Sequence, residues 1–486
     1  MNTISLSTNT PEFFNDLCEE IRLFLSADKI AMLPSDMKTN DKGICFVHRE
    51  EAYEDGNYVS RATILKKGQK KAGYAYFFRI IGNDPLEIKR ERKNAGKITL
   101  YRLLNRYTGK KMPWGPLTGI RPTKYLRDLE TRVGQAVAEE YLIKTLGVSR
   151  QKFDLARSIV TRQKSVIQSV GEKAIDIYIG IPFCPSICTY CSFGSKRIKK
   201  GDALQERYMD ALITEIEALK PAVKGRDIRS VYIGGGTPTS LDLPLLERLL
   251  DAVAEWGKDK EFTVEAGRPD TIDAKVLELL SAYGVNRISI NPQTFKEETL
   301  TKVGRRHSVD EVYTAYKTAR KYGFAHINLD LILGLPGETL TDMRRSVKRA
   351  IAMAPESITV HTLAIKNASA MNRANTYTAD EKMMEKAVEK ARQLCEKSGF
   401  LPYYMYRQKY MKGNLENVGY AKTDRLSVYN IDMMEEVTDI LAFGAGAISK
   451  KIYRDQGRHE RIPNPKDLET YFGKLEKLIE AKRSAF

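Results

Sequence analysis

Two rhythms of apolar and polar positions divide this chain. In the first stretch apolar residues recur at helical spacing over 11–25, then fall into short strand-like runs over 44–48, 58–66 and 72–81. The KKGQK segment between the last two runs has hairpin-turn chemistry. A strongly basic helical run follows over 86–107, carrying Lys89, Arg90, Arg92 and Lys93. Next comes PWGPLTGIRPTKYL, whose prolines and glycines are expected to exclude a regular helix. Residues 1–165 therefore read as a separate α+β domain.

From Ile175 onward the rhythm changes. Strand-like runs IDIYI, IRSVYI, EFTVE, RISI, INLDLI and SITVH alternate with helical periods such as 204–219 and 243–256. That alternation predicts βαβ units and a parallel sheet, because parallel neighbours need a crossover helix. The fold class is α/β: a partial (β/α)6 barrel over 170–370, with chemistry expected at the strand C-terminal ends. Beyond it, a charged helix over 380–398, a tyrosine-rich stretch and LAFGAGAISK read as an α+β capping region, 371–486, over the open side.

Candidate chemistry sits just past the first of these strands. IPFCPSICTYCSF holds Cys184, Cys188 and Cys191 within eight residues, while the other three cysteines, Cys18, Cys45 and Cys395, are scattered in apolar or helical contexts. Those three read as packing thiols. Three closely spaced thiolates suit a [4Fe–4S] cluster whose fourth iron stays open to a small molecule. The alternative is a structural zinc site, which needs a fourth ligand that the neighbouring sequence does not offer. So few cysteines, with no secretory pattern at the N-terminus, fit a reducing, cytoplasmic setting. No apolar run reaches membrane-spanning length.

Composition adds one thing. A formal net charge of +17 draws anions over some distance, whether a polycarboxylate, lipid headgroups or nucleic acid. Nucleic acid is allowed by the charge but favoured by no recognition motif.

Further polar and glycine positions fall at predicted strand ends. Gly234, Gly235, Gly236 and Thr237 follow the second strand, where missing side chains let backbone approach a ligand. Glu265 ends the third strand and Gln293 follows the fourth. Tyr190 is placed to stack on an adenine or simply to pack. His307 and His361 read as hydrogen-bonded core or rim residues.

The segment IYIGIPFCPSICTYCSF resembles the signature of the radical S-adenosylmethionine (radical SAM) superfamily. That resemblance implies a [4Fe–4S] cluster on Cys184, Cys188 and Cys191, with S-adenosylmethionine chelated at the open iron and cleaved to a 5′-deoxyadenosyl radical. It implies cofactor contacts from Tyr178, Tyr190, Gly235, Gly236, Thr237, Glu265, Gln293, Arg305 and Asp330, with Arg305 preferred over Arg306. Taken with VYIGGGTPT, GVNRISINPQTF, NLDLILGLPGET and FGAGAIS, the chain is similar to the oxygen-independent coproporphyrinogen III oxidase family, and PWGPLTGIRPTKYL and YRQKYMKGNLENVGY resemble its HemZ-type dehydrogenase branch. The implied activity is oxidative decarboxylation of coproporphyrinogen III propionates to vinyls, giving protoporphyrinogen IX. An anionic tetrapyrrole suits the basic balance, with Arg121, Lys124 and Arg407 as candidate carboxylate partners. At two positions the chain departs from the better-known oxidases: Gly180 stands for a histidine and Phe193 for a cysteine. Related branches with such replacements include haem chaperones and haem-degrading enzymes. An RNA-modifying radical enzyme is a further alternative.

Overall fold

The computed structural model describes residues 4–25, 29–34, 43–80, 83–118, 121–191, 194–364, 371, 380–408, 412–456 and 458–486. The chain divides into two compact units, Met1–Ala156 and Arg157–Phe486, the division falling within the helix Arg150–Gln168.

The first unit carries β1 (Ile4–Thr8), β2 (Ile30–Leu33), β3 (Ile44–Ala52), β4 (Asn57–Lys66) and β5 (Gln69–Arg79), in the order β2-β1-β3-β4-β5. The expected hairpin is β4–β5, turning at Lys67 and Gly68, both in the left-handed region. Helices Phe14–Phe24 and Pro85–Thr108 supply Leu17, Ile21, Leu100 and Leu104 to a core shared with Leu6, Phe46 and Ile64. Each such fully buried side chain contributes about 1.5–3 kcal/mol. One expectation is corrected here: a regular helix, Pro122–Val133, begins inside PWGPLTGIRPTKYL. Pro122 occupies the first helical turn, where the N–H it lacks has no intrahelical partner, so proline starts this helix instead of breaking it.

The second unit is built on β6 (Ala174–Ile181), a short pair β7 (Phe183–Cys184) and β8 (Lys196–Arg197), β9 (Asp227–Gly235), β10 (Glu261–Gly267), β11 (Arg287–Gln293), β12 (His326–Leu333), β13 (Ser357–Thr362), β14 (Leu401–Tyr406), β15 (Asn417–Ala421), β16 (Asp439–Phe443), β17 (Ile448–Tyr453) and β18 (Arg458–Pro463). The six expected strands, β6 and β9 to β13, run parallel in sequence order. Helices Ala203–Val223, Leu243–Gly257, Ala274–Ala282, Val309–Lys321 and Leu340–Ala352 make the crossovers. Both faces of these strands are covered, which is why they read as nearly continuous apolar runs.

The C-terminal segment adds strands at both edges. On one side β15 and β14 pair antiparallel beyond β13; on the other, β16 joins β6 in parallel and carries β17 and β18. A seventh parallel strand thus extends the expected six. Among the described residues the order β14-β15-β13-β12-β11-β10-β9-β6-β16-β17-β18 is open at both ends.

Among the described residues, no helix is long and apolar enough to cross a membrane.

Candidate functional site: a three-cysteine loop at the strand ends

The cysteine loop leaves β6 and is fastened at several points. Cys184 lies in β7, paired with Arg197 of β8, and the Cys184 carbonyl accepts from the Ile198 amide at 3.1 Å. Farther along, the Thr189 amide donates to the Val303 carbonyl and the Ser186 hydroxyl donates to the Gly304 carbonyl, at 3.0 and 3.1 Å. Arg268, nearly fully buried, donates to the Ser186 hydroxyl at 2.7 Å while clasping Asp270 with two bonds of 2.9 Å. Cys184, Cys188 and Cys191 are half-buried on this loop, and none of them is in a disulfide among the described residues. The other three cysteines are buried as expected, and burial pushes the Cys18 thiol up to about 11 and the Cys395 thiol up to about 12. Among the described residues, no three His, Cys, Asp or Glu side chains converge on a single-ion position. The thiolates of a cube need no such convergence, since each takes a different iron.

The glycine turn after β9 packs directly on this loop. The Gly236 amide donates to the Ile181 carbonyl and the Thr237 amide to the Phe183 carbonyl, both at 2.7 Å. Gly235 takes φ of 113°, a conformation that side chains avoid. A Cβ on Gly236 would meet the Phe183 carbonyl oxygen at 2.3 Å and Cys184 Sγ at 3.0 Å. Thr237 Oγ1 stands 3.4 Å from the same sulfur. With the Gly235, Gly236 and Thr237 amides taken by the fold, carbonyl oxygens are what the turn offers a ligand.

Glu265 and Gln293 sit where the sheet register shifts, between Val264 and Gly267 on β10 and between Ile290 and Gln293 on β11. Such irregularities re-aim side chains at strand ends. Glu265 accepts from the Tyr232 hydroxyl at 2.5 Å and the Gly235 amide at 3.2 Å. Burial pushes its carboxyl up to about 7, with the Tyr232 bond working against it and nearby Asp330 adding to it. Gln293 holds φ of 65°, outside the range a side chain prefers, and its Oε1 is buried with no hydrogen-bond partner. Both features cost free energy and gain nothing within the chain.

Arg305 is buried, while Arg306 is exposed. Its guanidinium donates to the Tyr190 hydroxyl at 3.3 Å and to the Asn291 carbonyl. Burial works against its charge, but Tyr190 and Cys188 beside it hold the proton firmly. Tyr190 packs on Val303, Leu335, Leu363 and Met371. Asp330 accepts from Asn328 Nδ2 at 2.7 Å and lies 3.6 Å from His361 Nε2, whose Nδ1 is 3.0 Å from the Tyr406 hydroxyl.

Tyr178 stacks on Tyr232 and Tyr429, with ring centroids 6.2 and 6.1 Å away. Sequence reading named Tyr178 but missed its two partners and Arg268. The signal for Arg268 was a cation at the end of β10; nothing local marked Tyr429.

Arg121 occupies the N-cap position of the helix Pro122–Val133 in the first unit, and Lys124 is in its first turn. Arg407 donates to the main chain of Asn414 and Leu415. His307 is buried with neither ring nitrogen hydrogen-bonded. Gly180 is buried on β6, and a Cβ there would meet nothing closer than Tyr178 at 3.4 Å. Phe193 lies outside the described residues.

A family model for the radical SAM superfamily matches residues 178–350. The chain is 39% identical, over 80% of its own length and 80% of the relative's, to the oxygen-independent coproporphyrinogen-III oxidase-like protein HemZ of Bacillus subtilis. It belongs to that radical SAM family. Its family cofactors are a [4Fe–4S] cluster and S-adenosylmethionine. The chain is also 38% identical to the heme chaperone HemW of Bacillus subtilis, over 39% of its length and half of the chaperone's. A solved structure of coproporphyrinogen III oxidase (HemN) from Escherichia coli shares the fold, with a TM-score of 0.51 at 24% identity over 64% of this chain and 71% of that one. The residues present fit the family cofactors: three half-buried thiols, a glycine that only hydrogen can occupy beside Cys184 Sγ, and a buried carbonyl oxygen on Gln293 lacking a donor.

Proposed function

We propose that this chain is a radical SAM oxidoreductase that converts coproporphyrinogen III propionates to vinyls without oxygen, giving protoporphyrinogen IX. The observation that carries the reading is the gathering of the thiol loop, the glycine turn, Glu265, Gln293, Arg305 and Asp330 at one end of the parallel strands. Similarity to an oxidase-like relative over four fifths of both chains supports the substrate class.

In this reading Cys184, Cys188 and Cys191 hold the cluster. Carbonyls of Gly235 and Gly236, with Thr237 and Gln293 Oε1, would hold the methionine amine of S-adenosylmethionine, Arg305 would take its carboxylate and Asp330 its ribose hydroxyls. Tyr190 and Tyr178 bound the site. When bound, the cluster and S-adenosylmethionine supply reductive cleavage that ends in hydrogen abstraction from substrate. Each propionate then loses one hydrogen atom, carbon dioxide and one electron, which passes to an acceptor. Glu265 keeps the glycine turn in place through Gly235 and Tyr232, and the tyrosine stack keeps water from the strand interior. The net positive charge assists capture of a tetracarboxylate. The segment 371–486 serves as a cap, and a cytoplasmic setting keeps the thiols reduced.

A haem-carrying role is the second reading, raised by the HemW relative. It needs an axial ligand: His48, His307 and His326 are buried and His361 is engaged with Tyr406 and Asp330, while the exposed His459 lies 3.6 Å from Glu436. The test is anaerobic incubation of the cluster-loaded protein with reductant, S-adenosylmethionine and coproporphyrinogen III. Formation of 5′-deoxyadenosine with loss of two carboxyl groups from the porphyrinogen is expected. Nucleoside release with the porphyrinogen unchanged would overturn the substrate, and tight haem retention without nucleoside would establish the carrier.

A further inference from the structure

A pair of tyrosines reaches across one strand to the polar side chains of another. Gly419 of β15 lies in register with Tyr404 of β14 on one side and with Thr359 of β13 on the other. A Cβ on Gly419 would collide with the Tyr404 ring, so only glycine lets that ring cross the strand. The Tyr404 hydroxyl ends 3.3 Å from Thr359 Oγ1, and the next tyrosine along the same face, Tyr406, ends with its hydroxyl 3.0 Å from His361 Nδ1. Burial, with Asp330 and Glu265 nearby, pushes the Tyr406 phenol up, so it keeps its proton. Among the described residues that hydroxyl has no acceptor besides His361 Nδ1. Its proton therefore points at Nδ1, which leaves the imidazole's own proton on Nε2.

That second nitrogen is poised toward the site. Asp330 Oδ2 lies 3.6 Å away, beyond hydrogen-bond length, while Asp330 Oδ1 accepts from Asn328 Nδ2 at 2.7 Å. His361 keeps 24% of its side chain exposed, so a ligand can reach it. Glu265 is within its electrostatic reach. Resting on the oxidase reading above, we propose that His361 Nε2 donates to the carboxylate of the propionate that is lost, and that Tyr406 is the positioning residue that aims this donor. Glu265, Asp330 and Gln293 Oε1 are acceptors, so an anion entering among them needs an N–H to meet it. In that reading Asp330 takes the ribose, so the arm held beside Asp330 is the arm beside the nucleoside. A single imidazole N–H suits a carboxylate that must depart, whereas a bidentate arginine grip would stabilise the anion against leaving. The negative charge of Asp330 and Glu265 opposes a bound carboxylate but not neutral carbon dioxide, so departure relieves repulsion. Once the propionate has given up its hydrogen atom and its electron has passed to the acceptor, the C–C bond to the carboxylate breaks. Its electron pair becomes the second bond of the vinyl group, and the proton stays on Nε2.

The test compares wild type with His361→Leu, His361→Gln and Tyr406→Phe, each loaded with cluster and S-adenosylmethionine and titrated anaerobically with coproporphyrin III, an oxidised, fluorescent analogue with the same propionates. His361→Leu should weaken porphyrin binding roughly tenfold or more, since it removes a hydrogen bond to a charged group. His361→Gln, whose side-chain amide places an N–H near the position of Nε2, should stay within about threefold of wild type. Tyr406→Phe should fall between the two. Calorimetry should show wild-type affinity for S-adenosylmethionine in all three. With coproporphyrinogen III, His361→Leu should lose fewer carboxyl groups per 5′-deoxyadenosine than wild type, and His361→Gln should restore the ratio. Unchanged coproporphyrin III affinity in both His361→Leu and Tyr406→Phe would overturn the proposal. Weakened S-adenosylmethionine binding with porphyrin binding unchanged would also overturn it, by assigning His361 to the support of Asp330. Wild type that binds S-adenosylmethionine but no coproporphyrin III would instead overturn the substrate reading beneath it.

Discussion

The Tyr232 hydroxyl donates to Glu265 at 2.5 Å, joining two neighbouring strands just below the glycine turn. Burial pushes the Glu265 carboxyl up to about 7 from an ordinary value of 4.5. The folded chain therefore holds this proton more tightly than the unfolded one. Its contribution to stability is complete below about pH 4.5 and is lost as pH rises through about 7. Glu265→Gln removes that dependence, so its melting temperature relative to wild type should rise between pH 5 and pH 7.5 on the order of the linkage expected for one carboxyl. A constant difference across that range would contradict the assignment.

Gly236 is a second sharp test. Alanine there drives a Cβ to 2.3 Å from the Phe183 carbonyl and 3.0 Å from Cys184 Sγ. Gly236→Ala should lose about 1–3 kcal/mol in urea unfolding and most of its iron on reconstitution. Gly171→Ala, whose Cβ meets nothing within 4 Å, should do neither. Normal iron uptake by Gly236→Ala would show that the turn does not bear on the thiols.

Gln293 is expected to separate stability from binding. Its buried Oε1 lacks a partner, a state that costs about 1–3 kcal/mol. Gln293→Leu should leave the ligand-free protein as stable as wild type or more so, while calorimetry shows weaker S-adenosylmethionine binding. A less stable protein with undiminished binding would contradict the role.

Much of this site was legible in sequence because it is local. Three cysteines and a glycine run announce themselves by type and spacing, and alternation marked each of the six strands that position them. What escaped depended on distance along the chain. Asp439–Phe443 is five residues long and wholly buried, and only its pairing with β6 makes it a strand of the parallel set. Tyr429 reaches Tyr232, at 4.3 Å between centroids, from a helix nearly two hundred residues onward, as roughly counted along the chain. Pro122 misled because a proline reads as a breaker unless the helix start is already known.

The final helix, Leu475–Ala485, is tied to the helix Ala203–Val223 by a buried ion pair. Lys482 Nζ lies 2.6 Å from Glu215 Oε1, both side chains fully buried, and Glu215 also accepts from the Gly444 amide and the Tyr471 hydroxyl. Lys482→Met should cost about 3–5 kcal/mol by leaving a buried carboxylate uncompensated. Adding Glu215→Gln should recover part of the loss. A single variant as stable as wild type would contradict the pairing.

Metal analysis of anaerobically prepared wild type and Cys188→Ala tests the central claim most directly. The wild type should hold about four irons and as many sulfides per chain, and Cys188→Ala should stay folded but colourless, with little of either and no nucleoside release. Zinc in place of iron and sulfide in the wild type, or full iron and nucleoside release by the variant, would contradict it.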